Sequence, residues 1–229
     1  MLRPKKKISK RELKQDTLIT TYVKLTTFYD TYKKQISIGV TALVVLIIAS
    51  VVFLKNRAEN NDRAMTQLGE VIQFYDNGQY QVAIDGVPER NVAGLKAIVD
   101  NYGSTTSGNL ARFYLANAYF QLGNYDEALK NYEDFSSSEE LLSVSRLAGI
   151  GDCYEAKGMY KEAAENFEKA STKHAKNAAA AENLNNAARD YGLAGDKEKA
   201  IELYKRLKKN FPVSSYAREA DRLIAELSV

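Results

Sequence analysis

LANAYFQLGNYDEALKNYEDF, residues 115–135, lies over IGDCYEAKGMYKEAAENFEKA, residues 150–170, and both lie over AARDYGLAGDKEKAIELYKRL, residues 187–207. Gly123, Gly158 and Gly195 are 35 and 37 residues apart. Ala128, Ala163 and Ala200 keep the same spacing, as do Tyr132, Phe167 and Tyr204. Self-similarity at such a period marks an array of stacked supersecondary units, each too small to bury its own apolar face. The two extra residues before the third copy fall in the segment 173–178.

Each recurring residue type has a physical task. Ala116, Gly151 and Ala188 are small where the two helices of a unit must approach closely, and Tyr119, Tyr154 and Tyr191 fill the groove between them. The three glycines end the first helix, where a left-handed backbone is needed. The alanines at 128, 163 and 200 are small again at the helix crossing, and the aromatic residues at 132, 167 and 204 cover the next unit. This pattern resembles the helix–turn–helix tetratricopeptide (TPR) repeat. The implied fold class is all-α: one membrane-spanning helix followed by a TPR solenoid of about four units over residues 66–229.

A degenerate copy precedes the three clear ones. In VIQFYDNGQYQVAI, residues 71–84, Gly78, Tyr80 and Ala83 match the pattern. Ala83 and Ala128 are 45 residues apart, so about ten residues are inserted, and 86–93 are the candidates. Val92, Leu95, Ile98, Val99 and Tyr102 then form a helical stripe. At the other end, Phe211-Pro212-Val213-Ser214 is a break with an N-cap. Residues 214–228 form the helix that closes the solenoid, with Ala217, Ala220, Leu223, Ile224 and Leu227 on its buried face.

Upstream of the array, ISIGVTALVVLIIASVVFL (residues 36–54) carries no charge and has thirteen Ile, Leu, Val or Phe among nineteen residues. At about 1.5 Å per residue it spans roughly 28 Å as a helix, close to the ~30 Å hydrocarbon core of a bilayer. Ten Lys/Arg against three acids in residues 1–35 give that flank +7; the whole chain is +3, so residues 55–229 carry −4. The positive-inside rule places the N-terminus in the cytoplasm and the repeats on the other side of the membrane. The basic flank is too long, and the apolar core too extended, for a cleaved signal peptide, and no A-x-A site follows. Residues 55–65 are either a linker or a helical extension of the anchor.

Residues 1–35 read as a basic amphipathic segment. Ser9-Lys10-Arg11-Glu12 fits a capping box. Leu18, Tyr22, Leu25, Tyr29 and Tyr32 recur at helical spacing between Lys14, Lys24 and Lys33, as expected of a helix on the inner leaflet. Lys5-Lys6-Lys7 is too short a run to indicate nucleic-acid binding.

No residue set supports an enzyme, a cofactor, a metal or a small-molecule substrate. His174 is the only histidine and lies in a Lys/Ala-rich segment; Cys153 is the only cysteine and reads as a small core residue. The candidate chemistry is a concave surface for protein partners. Registered on the repeat, its inner positions are Leu110, Phe113, Asn117 and Phe120; then Ser145, Ala148, Asp152 and Glu155; then Glu182, Asn185 and Arg189. Phe113 and Phe120 either bind a partner's apolar segment or lie beneath the insertion. A basic clamp for a C-terminal carboxylate is absent, because the face is mixed or acidic.

An inward-facing N-terminal anchor followed by such an array, with Gly94-Leu95 and Tyr102-Gly103 ahead of Ala111, resembles the YfgM-like ancillary subunits of the SecYEG translocon. The resemblance implies a role in protein export, with translocon subunits, periplasmic chaperones or exported polypeptides as partners. The Pro212-Val213-Ser214-Ser215-Tyr216-Ala217 ending also resembles TPR proteins of cell division and outer-membrane assembly, which implies a scaffold of another envelope complex as the alternative.

Overall fold

The computed structural model describes residues 10–173 and 179–228. The chain divides into two compact units, the first ending at Asn56 and the second beginning at Arg57. Secondary structure is almost wholly helical, beginning with α1 (Lys10–Asp76).

Within the first unit, α1 is uninterrupted. The expected leaflet helix and the apolar stretch are therefore one helix, not two. The cause is compositional: no proline follows Pro4 until Pro88, and good helix formers join the two segments. Gly39 alone does not break it. Thr41 and Ser50 turn their hydroxyls back onto the carbonyls of Ser37 and Leu46, so these polar groups are satisfied within the helix. The large side chains of 38–54 are exposed all round, from Leu46 at 64% to Val44 at 47%. The helix is long and apolar enough to cross a membrane. Residues 55–65 are helical too. Ser9 of the capping box and His174 lie outside the described residues.

The second unit is the repeat array. After the end of α1 come α2 (Tyr80–Asp85), β1 (Gly86–Val87), a 3-10 turn (Pro88–Arg90), β2 (Val92–Ala93) and α3 (Leu95–Tyr102). Three helical hairpins follow: α4 (Thr106–Gln121) with α5 (Tyr125–Asp134), α6 (Glu140–Ala156) with α7 (Tyr160–Lys173), and α8 (Ala180–Leu193) with α9 (Lys197–Asn210). The chain ends in α10 (Ser215–Leu227).

One turn geometry recurs four times. Gly78, Gly123, Gly158 and Gly195 have φ between 72° and 87°. The residue after each donates its amide back to an aromatic residue five positions earlier: Gln79 to Phe74, Asn124 to Tyr119, Met159 to Tyr154, Asp196 to Tyr191, at 2.8–2.9 Å. This bond, with its left-handed glycine, satisfies the orphan carbonyls of the first helix and reverses the chain. Its presence at Gly78 makes the degenerate copy a genuine unit. The crossing alanines 83, 128, 163 and 200 are all fully buried.

The insertion is a miniature hairpin, with Gly86 paired to Ala93 and Val87 to Val92. Val92 is therefore a strand residue and not part of the helical stripe, which starts at Leu95. The chain turns there because Gly86 takes φ 82° and Asn91 a left-handed φ of 54°. Downstream, Leu95, Ile98 and Val99 of α3 pack with Leu68, Val71 and Leu115. A second cluster joins Ala116, Ala128, Tyr132, Ile150 and Cys153, and a third runs from Ala163 through Tyr204 to Ala217 and Ala220. Ser214 caps α10 through the Ala217 amide at 3.1 Å, and Leu223, Ile224 and Leu227 pack on the last cluster, which closes the core as expected.

Candidate functional site: the inner face of the repeats

Inner positions of α4, α6 and α8 carry the expected site residues, and the structure sorts them into three environments. Leu110 belongs to a different cluster from Phe113 and Phe120. It packs with the Leu95, Ile98 and Leu115 cluster, and it also borders a separate cavity of about 490 Å³ lined by Arg57, Thr105, Asn109, Phe135 and Ser137. Its neighbours are those of α3 and α1, so it belongs to the wall of the array.

Phe113, Asn117 and Phe120 form an aromatic and amide half. Phe113 meets Phe135 at 5.1 Å and Tyr132 at 5.9 Å between ring centroids. Phe120 meets Tyr125 at 5.5 Å. Both are half-buried against the second helix of their own unit, and the insertion packs elsewhere, on the Tyr114 and Tyr119 side of α4. Neither expectation for these phenylalanines describes Phe113 fully: it is part of the intra-unit packing. Asn117 accepts a hydrogen bond from the Tyr132 hydroxyl and lies within reach of the Tyr75 hydroxyl. Burial, with Cys153 and Asp152 adding, pushes the Tyr132 phenol above its ordinary value.

The other half is charged. Arg189 of α8 reaches Glu155 of α6 through Nη2, while its Nε donates to Asp190 Oδ1 at 2.9 Å. Asp190 is wholly buried, and its Oδ2 has no partner. Asp152 is pushed up to about 6 by burial first and then by Glu155, Glu182 and Asp190, with Arg189 opposing. Asp190 is likewise pushed up to about 6, by burial against the counter-pull of Arg189. The Asp152 carboxylate also acts on the Tyr132 hydroxyl, so the aromatic and acidic halves adjoin.

Three participants are missing from the sequence reading: Tyr75, Tyr132 as a polar group, and Asp190. Asp190 carried a usable signal, an ionisable residue inside the small and aromatic run Ala187-Ala188-Arg189-Asp190-Tyr191. Tyr132 does cover the next unit as expected, since a Cβ on Gly149 would lie 2.4 Å from its ring. Its hydroxyl is what the repeat alignment cannot show.

No three His, Cys, Asp or Glu side chains converge on a metal-sized point among the described residues. Cys153 is fully buried, and burial with the Asp152 charge pushes its thiol up to about 12, which suppresses the thiolate a nucleophile needs.

Fold and inner face together define a helical-repeat protein-interaction scaffold. Comparison with known proteins agrees: tetratricopeptide-repeat family profiles match residues 110–138 and 181–214, and a second tetratricopeptide profile matches residues 145–172. The chain thus carries TPR repeats. No curated protein sequence matches it. Among solved structures it is similar to the nearly identical TPR-like repeats of a protein described as a kinesin light chain from Podosopora anserina, at 19% identity and a TM-score of 0.53, covering 73% of this chain and 86% of that one. A single-substitution form of the same repeats gives 19% identity and 0.54, covering 73% and 85%. At that identity the likeness concerns the fold.

Proposed function

We propose that this chain is a single-pass, membrane-anchored interaction module whose N-terminus faces the cytoplasm and whose repeats face the periplasm. It works in protein export as an ancillary subunit or chaperone-network partner of the SecYEG translocon. The observation that carries the reading is the helix over 36–54, apolar on every side and covered by none of the described residues, in the same chain as a repeat array with an aromatic and acidic inner face. A surface of that kind belongs in lipid, because exposing it to water costs about 25 cal/mol per Å². The +7 flank orients the anchor. In this reading 1–35 is the cytoplasmic flank, 36–54 the span and 66–229 the partner-binding domain. The resemblance to YfgM-like subunits supplies the translocon.

Affinity purification of the full chain after crosslinking in cells tests the assignment. Recovery of translocon subunits or their periplasmic chaperones is expected. Recovery of division or outer-membrane assembly components in their place refutes the translocon while keeping the anchored module.

A further inference from the structure

We propose that the inner face takes a partner segment in which apolar residues are followed by lysine or arginine, the cation lodging between α6 and α8 among Asp152, Glu155 and Glu182. This rests on the interaction-module reading and specifies the chemistry of its site.

Charge complementarity carries it. Three carboxylates of the face, Asp152, Glu155 and Glu182, with the buried Asp190 beside Arg189, surround that one guanidinium, a local net charge of −3. The carboxylates do not converge as a metal site does, so a spread, hydrogen-bonding cation such as a guanidinium or ammonium fits them better than a metal ion. Asp190 supplies a second kind of observation. Its bond to Arg189 Nε sets its buried carboxylate directly beside the guanidinium that crosses to Glu155. Oδ2 is buried there without a donor. A buried carboxylate oxygen left unpartnered is costly, and a second cation lodged beside Arg189 lowers that cost through its field, without contact. Next to the acids stand the half-buried Asn117 and Phe120, an amide and a ring able to hold an adjoining apolar residue.

The test uses the full chain in detergent micelles and three labelled twelve-residue peptides, read by fluorescence anisotropy. The first carries Leu and Phe followed by Lys and Arg; in the second Glu replaces the basic residues, and in the third Gln does. The basic peptide should bind about ten-fold tighter than the Gln peptide and weaken from ~50 to ~200 mM salt. Glu155→Gln with Glu182→Gln should abolish that preference in a protein whose helical circular dichroism shows it still folded. Glu127→Gln with Glu162→Gln, on exposed parts of the second helices, should change nothing. Equal binding of the three peptides, an unaltered preference in the Glu155/Glu182 variant, or displacement of the basic peptide by millimolar calcium overturns the proposal. If the basic peptide fails but crosslinked partners are still recovered through the repeats, only the charge rule falls. If both fail, the interaction-module reading falls with it.

Discussion

Tyr132 links two units at once: its hydroxyl donates to Asn117 in its own unit, and its ring lies where a Cβ on Gly149 of the next would sit, 2.4 Å from Cζ. Gly149→Ala therefore sets two effects against each other. Alanine favours a helix over glycine by about 1 kcal/mol, whereas overpacking a fixed ring costs about 1–3 kcal/mol. Because the ring is anchored at both ends, the clash should win, and the thermal midpoint of the full chain in micelles should fall. Gly151→Ala meets Phe167 at 2.9 Å and should cost less. An unchanged midpoint for Gly149→Ala contradicts the packing.

The two phenylalanines should separate stability from binding. Phe113 contacts Phe135 and Tyr132 across its own unit, so Phe113→Ser should destabilise by about 1.5–3 kcal/mol in denaturant unfolding. Phe120 has one ring neighbour, Tyr125, and Phe120→Ser should cost less than about 1 kcal/mol while weakening partner binding. A reversed order of the two stabilities counts against the placement described.

Much of this was legible from the residues. The turn glycines, crossing alanines and capping helix follow from spacing, because a repeat must satisfy the same backbone bond in every copy. Continuity of α1 was only half legible: the basic and apolar segments were separable by composition, and nothing local signals whether a helix bends where its composition changes. The β1–β2 hairpin was seen as an insertion but not as strands, since two-residue strands carry no periodicity. The paired roles of Arg189 and Asp190 were hidden for another reason. Register names which positions face inward, but not which side chain bonds which.

Asp152 and Asp190 make a pH prediction. Both carboxyls stand at about 6 in the folded chain against 3.8 ordinarily. Between those values the folded state binds more protons than the unfolded one, so unfolding free energy falls as pH rises. Their contribution is fully present below about 4 and is lost as pH passes through about 6, worth about 1–3 kcal/mol for the two together. Thermal midpoints of the full chain at pH ~5 and ~7.5 should show that fall, and Asp152→Asn should flatten it. A slope identical in the variant counts against this account.

The charge split around the span predicts topology. Alkaline phosphatase fused after Val229 should be active, since it works only outside the cytoplasm. Reversing the flank by changing Lys5, Lys6, Lys7, Lys33 and Lys34 to Glu should lower that activity. An inactive fusion whose cytoplasmic-reporter counterpart is active refutes the orientation.

Site-specific photocrosslinking in cells reads the central claim, that the inner face of the anchored repeats meets a protein partner. The probe replaces Phe120 or Asn185 on the inner positions, and Lys130 or Lys169, exposed on the second helices, in parallel. Adducts to a discrete protein from Phe120 and Asn185, with none from Lys130 and Lys169, are the expected result. Adducts confined to Lys130 and Lys169 would contradict it.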